Sequence, residues 1–312
     1  MFELSTDVAS PTLLEQGDYS AYDALYLGDF SCPNFPNNFT SNPELLAEAV
    51  KTVHSQGKKC YLRLYAVPSN HDLTWVRSLI EAALALPFDG LEVHNLGLLR
   101  MLREMGCTKP LHLGVFGNLY TDATARVVKE YGVTRVYPNP ELSLKEAIYI
   151  RDNTPIEVLI PVHGKIPLVI SETCFIQEHT EGTTVGQCTF TCNEEHWLTR
   201  SEGEWSLKDT GRMTLSGSDL CMLEHVESLA AAKLTAFYVQ SHGETAEFVS
   251  KVGSIYRQAL TRAFAGIPVG DLTSHVAELS ALARMGLCNG YYFESAGRRY
   301  VGRDIVCDTG RA

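Results

Sequence analysis

The chain of 312 residues is 45% hydrophobic and 20% charged, a composition typical of a globular protein with a substantial core. Its formal net charge of −11 argues against a broad basic surface for nucleic acid, although a local basic patch remains open. The first residues lack the pattern of a signal peptide, and no apolar run is long enough to cross a bilayer. Nine unevenly spaced cysteines then predict reduced or metal-binding thiols in a cytoplasmic protein without a membrane span.

Strand-like and helical runs alternate along the first half of the chain. Asn42 and Pro43 are suited to the N-cap and first position of a helix, and Ser143 with Glu146 forms a capping-box pattern. The predicted strands are residues 23–28, 59–67, 91–94, 111–116, 133–137, 156–162 and 234–240. The predicted helices are residues 42–57, 72–86, 98–104, 121–132, 143–151, a segment from about 222, and 244–264.

This alternation predicts an α/β protein with a parallel sheet and crossover helices. Six or more strand–helix units in about 160 residues favour a TIM-like (β/α) barrel, closed or incomplete, over a doubly wound sheet. The pattern breaks at about 164–217, where we predict an irregular, cysteine-bearing insertion after the sixth strand. We therefore predict a barrel domain at 1–265, which includes this insertion, and a small C-terminal segment at 266–312 that packs on the barrel.

Four cysteines are the strongest functional signal. Cys174, Cys188 and Cys192 share one Gly- and Thr-rich stretch, and Cys32 follows the first predicted strand. Chemistry in a (β/α) barrel lies at the carboxyl ends of the strands, so all four can reach one mouth. Four thiolates suit an iron–sulfur cluster or zinc, and spacing alone does not choose between them. Cys221 is a fifth candidate, and spacing does not decide whether Cys32 or Cys221 completes the set.

The remaining cysteines and the histidines have plainer interpretations beside the functional ones. Cys60 lies within a strand and is expected in the core. Three further cysteines are interpreted as structural: Cys107, Cys288 and Cys307. Two histidines at strand ends are either catalytic or simply hydrogen-bonded: His94 and His163. Two others could bind zinc or be solvated: His179 and His196. Familiar hydrolase motifs are missing, and we assign no catalytic residue.

Several short runs of the sequence resemble the collagenase-like peptidase family. The runs are Tyr26-Leu-Gly-Asp, Glu92-Val-His-Asn, Pro140-Glu-Leu-Ser-Leu, Val162-His-Gly-Lys-Ile-Pro-Leu and Ser171-Glu-Thr-Cys. Within that family the chain is most similar to the UbiV-type subunits of oxygen-independent ubiquinone hydroxylation. Three features carry this narrower likeness: Cys32 after Leu-Gly, the Cys188-x-x-x-Cys192 spacing, and Val239-Gln-Ser.

The resemblance implies a cofactor, a partner and a reaction. It implies a 4Fe-4S cluster held by Cys32, Cys174, Cys188 and Cys192. It also implies a heterodimer with a homologous UbiU-like subunit, and hydroxylation of a ubiquinone precursor without oxygen. Cys221 is placed like a later cysteine of UbiU-like and RNA-hydroxylating relatives. The alternatives are a peptidase, a zinc-bound scaffold, and an iron–sulfur nucleobase (RNA) hydroxylase, of which the acidic charge disfavours the last.

Overall fold

A closed barrel of parallel strands lies at the centre of the structure, a computed structural model that describes residues 1–35, 38–41, 43–180, 188, 190–202, 205–294 and 297–302. In these residues eight strands form the barrel: β1 (Glu3–Val8), β2 (Ala24–Leu27), β3 (Lys59–Arg63), β4 (Gly90–Val93), β5 (Leu111–Leu113), β6 (Val133–Val136), β7 (Glu157–Ile170) and β11 (Ala236–Val239). Each of the first seven pairs with the next in chain order. The predicted TIM-like fold is confirmed.

The last barrel strand closes the barrel by pairing with strands on both sides. Ala236 of β11 lies opposite Glu3 of β1 and opposite Leu159 of β7, all in parallel register. The barrel is thus complete, and one of its strands was not predicted. Because β1 precedes the predicted strand at 23–28, the strand predicted as the sixth is the seventh. The insertion therefore follows the seventh strand.

Helices cover the outside of the barrel. They are α1 (Pro11–Gln16), α2 (Pro43–Ser55), α3 (Leu73–Ala85), α4 (Leu96–Glu104), α5 (Asp122–Lys129), α6 (Leu144–Asn153), α8 (Val226–Ala231) and α9 (Ala246–Phe264). The capping box is present: the Ser143 hydroxyl accepts the Glu146 amide at 3.3 Å, and Glu146 accepts the Ser143 amide at 2.8 Å. Helix α2 begins as predicted at Pro43, while its predicted N-cap, Asn42, lies outside the described residues.

The predicted insertion is more regular than the sequence indicates. Strand β7 continues beyond the barrel and pairs in antiparallel register with β10 (Met213–Cys221), which also pairs with β9 (Ser206–Asp209). Strand β8 (His196–Thr199) completes this antiparallel sheet, and α7 (Phe175–Thr180) lies between β7 and β8 in the chain. Strand β7 thus belongs both to the barrel wall and to the cysteine-bearing sheet.

The C-terminal segment contributes α10 (Thr273–Leu282) and β12 (Leu287–Cys288), which pairs with β10. The Asn289 side chain donates to the carbonyl oxygen of Cys221 at 2.7 Å, and the Tyr292 hydroxyl donates to that of Pro161 at 2.9 Å. These contacts connect the segment to β10 and β7. The domain division at residue 265 remains a prediction. No helix in the described part of the chain is long and apolar enough to span a membrane.

Candidate functional site

The structure gathers the four predicted cysteines at the barrel mouth. Cys32 follows β2, Cys174 precedes α7, and Cys192 lies in a short helical turn before β8. Burial and the like charges of Cys32, Cys188 and Cys174 raise the pKa of the Cys192 thiol to about 12. Cys192 therefore lies within electrostatic range of the other three. As placed, the described residues contain no group of three or more His, Cys, Asp or Glu side chains spaced to hold a single metal ion.

A glycine leaves room for two of these cysteines. Gly211, in the turn between β9 and β10, has a φ of +92°, which favours glycine. A Cβ added there would lie 2.9 Å from Sγ of Cys174 and 3.7 Å from Cβ of Cys192. The Phe175 amide also donates to the Gly211 carbonyl oxygen at 2.8 Å. The turn thus packs directly against the cysteine group, and a larger residue would displace a thiol.

A buried carboxylate holds the loop that carries Cys32. Oδ1 of Asp29 accepts hydrogen bonds from the Ser31 amide at 2.6 Å, the Ser31 hydroxyl at 2.7 Å and the Cys32 amide at 3.0 Å. Asn38 closes the loop from the other side, donating to the Cys32 carbonyl oxygen at 3.2 Å. Burial and the Asp29 charge raise the pKa of the Cys32 thiol to about 11, and the Arg212 charge opposes them. These bonds fix the backbone of Cys32 before any metal binds.

Cys221 lies in a different environment. Its side chain is fully buried at the end of β10, where the Tyr256 hydroxyl lies 3.6 Å from its sulfur. Burial raises the pKa of this thiol, and the Glu224 charge acts in the same direction. The structure thus brings Cys32, rather than Cys221, to Cys174, Cys188 and Cys192. Cys60 is buried in β3, as predicted, while Cys307 lies outside the described residues.

A buried ionic network lies just inside the barrel mouth. Nε of Arg63 lies 2.8 Å from Oε1 of Glu92, and the Arg63 guanidinium donates to the Tyr238 hydroxyl at 2.7 Å. That hydroxyl donates in turn to Oδ1 of Asp7 at 2.6 Å. Burial alone would raise the pKa of Glu92, but the Arg63 charge and a His94 hydrogen bond hold it at about 2. The network places a fixed cation among carboxylates beneath the mouth.

The two histidines at strand ends differ in their contacts. Nε2 of His94 lies 3.1 Å from Glu92, its Nδ1 accepts the Phe116 amide at 3.2 Å, and its ring stacks on Phe30 with centroids 4.4 Å apart. Nε2 of His163 is buried without a hydrogen-bond partner among the described residues, and burial lowers the pKa of this imidazole to about 3. His94 thus has a bonded, structural setting, whereas His163 is a neutral buried imidazole.

Three polar residues of the mouth were not singled out as functional from the sequence: Asp29, Arg63 and His242. Nδ1 of His242 lies 3.2 Å from Oδ2 of Asp29. In the part of the chain that the structure describes, its buried Nε2 has no hydrogen-bond partner. A charged residue within a strand or directly after it is a usable signal in a (β/α) barrel, because strand ends carry the chemistry. Arg63 and Asp29 both meet that description.

One family model and several curated proteins match this chain. A model described as peptidase family U32 matches residues 16–301. An uncharacterized protease of Methanocaldococcus jannaschii is 28% identical over 312 residues, covering 96% of this chain and 75% of that protein. The tRNA hydroxylation protein P of Escherichia coli is 25% identical, covering 86% of this chain and 69% of that protein.

The solved structure of the U32 peptidase Mk0906 is also similar. It is 14% identical with a TM-score of 0.47, covering 78% of this chain and 94% of that one. The resemblance to the collagenase-like peptidase family is confirmed by the family match. Because the family model matches far more than half of the residues of this chain, the chain belongs to peptidase family U32.

Proposed function

We propose that this chain binds a 4Fe-4S cluster through Cys32, Cys174, Cys188 and Cys192 and acts in oxygen-independent hydroxylation. The observation that carries the proposal is the packing of Cys174 and Cys192 against one turn, where a Cβ added at Gly211 would lie 2.9 Å from Sγ of Cys174 and 3.7 Å from Cβ of Cys192. The charges of Cys32 and Cys188, which act on the Cys192 thiol, add to it. The similarity to a tRNA hydroxylation protein over 86% of the chain supports the reaction class. A bound cluster would supply one-electron transfer.

The proposed reaction class favours a cluster over a single zinc ion. Zinc has no second oxidation state to offer in a redox reaction, whereas an iron–sulfur cluster transfers single electrons. Hydroxylation without oxygen removes electrons from the substrate, so the similarity to a tRNA hydroxylation protein supports the cluster.

The protein groups around the cysteines have separate tasks. Asp29 fixes the Cys32 backbone through its hydrogen bonds, and Gly211 keeps space beside Cys174. Arg212 lies within electrostatic range of Cys32 and donates to the Tyr65 hydroxyl, which anchors its position. A cation beside thiolates favours their deprotonated, metal-binding form. The partial burial of Cys32 and Cys192 reduces the access of water to the site.

We further propose that the substrate is a ubiquinone precursor and that a homologous UbiU-like subunit is the partner. The formal charge of −11 supports a small substrate, because tRNA binding gains most of its affinity from basic residues. Hydroxylation of a tRNA base is the second candidate, and the name of the Escherichia coli relative favours it. A peptidase is the third, and the Methanocaldococcus jannaschii relative favours that one.

Anaerobic purification followed by iron, sulfide and zinc analysis tests the cofactor. We expect a brown protein with iron and sulfide in equal amounts and little zinc. Stoichiometric zinc with negligible iron and sulfide would overturn the proposal. Hydroxylation by water releases two electrons and two protons, so the protein and its partner are then incubated without oxygen, with a two-electron acceptor, and with a quinone precursor or unmodified tRNA. Mass spectrometry of the products distinguishes the substrates. Peptide cleavage by the metal-free protein would instead support the peptidase.

A further inference from the structure

A cleft of about 680 Å³ lies beside the barrel mouth, away from the cysteine group. Its floor is formed by the segments that follow β5 and β6, and its far wall by β7, β9 and β10 where they extend beyond the barrel. The C-terminal segment closes one side. A cleft of this size suits one small molecule, and its position at the carboxyl ends of barrel strands is where such folds bind ligands.

Aromatic rings line the cleft and remain accessible. Tyr120, Trp205 and Tyr291 all contribute to its walls, and each is about two-fifths exposed, at 42%, 41% and 42%. Gly297 supports the Tyr291 ring, since a Cβ added to that glycine would lie 2.9 Å from the ring. Exposed aromatic side chains facing a cleft offer flat surfaces on which a planar ring can stack. The cleft therefore suits a planar, ring-containing ligand.

One cation in the cleft has no acidic partner. Arg298 lines the cleft, and its side chain makes no hydrogen bond or ion pair with the rest of the described chain. The carboxylate that also lines it, Glu141, accepts the Tyr120 hydroxyl at 2.7 Å. A free guanidinium binds a carboxylate or a phosphate through two parallel hydrogen bonds. The cleft thus combines stacking surfaces with one site for an anion.

We propose that this cleft binds a planar ring that carries a carboxylate or a phosphate group. The aromatic side chains of the walls would stack on the ring, and Arg298 would bind the anionic group. Two sources share this chemistry: an aromatic carboxylic acid and a nucleotide. The identification of the bound ring as the molecule to be hydroxylated rests on the proposed function. Binding itself requires neither the cluster nor a partner.

Tryptophan fluorescence tests the location of binding, because Trp205 is one of three tryptophans in the chain and lines the cleft. The anaerobically purified protein is titrated with 4-hydroxybenzoate and, separately, with uridine monophosphate. We expect at least one of them to quench the emission, and the ligand-dependent part to vanish in Trp205→Phe. Quenching that persists unchanged in Trp205→Phe would place the ligand elsewhere and overturn the proposal.

Calorimetry tests the role of the cation. We expect Arg298→Gln to weaken binding of the anionic probe by about tenfold or more, the effect of losing a charge-assisted hydrogen bond. Arg299→Gln is the matched control, because Arg299 is an exposed neighbour that does not line the cleft. The neutral analogues phenol and uridine should bind weakly and equally to wild type and Arg298→Gln. The proposal would be overturned if wild type and Arg298→Gln bound the anionic probes with equal affinity. It would also be overturned if neither probe bound in the millimolar range.

A cluster-deficient variant separates this inference from the proposed function. Cys188→Ser should lose the cluster yet bind the anionic probe with unchanged affinity. Probe binding by a wild-type protein that contains no iron would refute the cluster and leave the cleft assignment standing. Iron and sulfide present without any probe binding would refute the cleft assignment alone.

Discussion

Nδ1 of His242 lies 3.2 Å from Oδ2 of Asp29, and Oδ1 of the same carboxylate accepts the Cys32 amide at 3.0 Å. Both side chains are buried. The pair therefore connects the loop after β11 to the loop after β2. Through it, the last strand of the barrel helps to position a cysteine that follows the second.

Replacement of Asp29 tests this connection. Asp29→Ala removes the oxygen that accepts three hydrogen bonds, so we expect the free energy of unfolding to fall by about 1–3 kcal/mol or more. We also expect the variant to retain less iron. Urea unfolding and iron analysis measure the two effects. Asp18→Ala is the control, because Asp18 accepts the Ser20 amide at 2.9 Å in an exposed turn. Similar losses in both variants would contradict the role of Asp29.

Two serine substitutions test which cysteine is the fourth ligand of the proposed cluster. Cys32→Ser should lose most of its iron, because Cys32 lies with the other three cysteines. Cys221→Ser should retain iron but unfold at lower urea, since it places a hydroxyl in a fully buried position beside Tyr256. Anaerobic iron and sulfide analysis of both proteins gives the answer. Iron lost in Cys221→Ser and kept in Cys32→Ser would reverse the assignment.

Gly211→Ala should disturb the cysteine group directly. The new Cβ would lie 2.9 Å from Sγ of Cys174, so we expect lower iron content as well as lower stability. Gly106→Ala is matched in backbone conformation, with a φ of +72°, but nothing lies within 4 Å of its Cβ. Both variants carry the strain of a positive φ, about 1 kcal/mol. Only Gly211→Ala should lose iron, and normal iron content in it would show that the turn does not contact the bound group.

The Arg63 network should be important for stability. Arg63→Met leaves the buried carboxylates of Glu92 and Asp7 without their cation, so we expect a loss of about 3–5 kcal/mol. Arg100→Met provides the comparison, since Arg100 pairs with Glu104 on an exposed helix face. Chemical denaturation should show a large shift for the first variant and almost none for the second. A small shift for Arg63→Met would mean that the carboxylates become protonated or hydrated.

His112 predicts a specific acid sensitivity. It is buried with Nδ1 2.9 Å from the Tyr26 hydroxyl, and burial, followed by the Arg135 charge, lowers its pKa from 6.5 to about 3. Between pH 6.5 and about pH 3, His112 is protonated in the unfolded chain but not in the folded chain. The free energy of unfolding therefore falls by about 1.4 kcal/mol for each pH unit in this range. The stability difference between wild type and His112→Gln should therefore shrink from pH 6.5 downwards. His71→Gln, which replaces an exposed histidine, is the control variant.

Local sequence patterns predict local structure well in this chain. The capping box at Ser143 and Glu146, the proline at the start of α2, and the apolar strands all depend on neighbouring residues. Strand β1 escapes prediction because it alternates Leu4, Thr6 and Val8 with Glu3, Ser5 and Asp7, an alternation that also suits a surface segment. Its polar side chains are buried only because the barrel closes around them.

Partners distant in the sequence cannot be predicted in this way. Asp7 and Tyr238 are 231 residues apart, and their hydrogen bond depends on which strands become neighbours. The choice between Cys32 and Cys221 has the same origin. Both have plausible spacing, and the fold separates them because Cys221 lies within the ladder between β10 and β7. Spacing along the chain suggests candidate ligands, whereas the fold determines which of them lie close together.

The pairing of β1 with β11 has a consequence for biosynthesis. The Thr6 hydroxyl donates to the carbonyl oxygen of Val239, a contact between residues 233 positions apart. During synthesis one edge of β1 therefore stays unpaired until β11 has been made, when about three-quarters of the protein has left the ribosome. Contacts at such separation slow folding and leave strand edges open to aggregation in the meantime. The polar residues of β1 help to keep the strand soluble while its edge is unpaired. After the barrel closes, the same residues lie on the inner side of its wall.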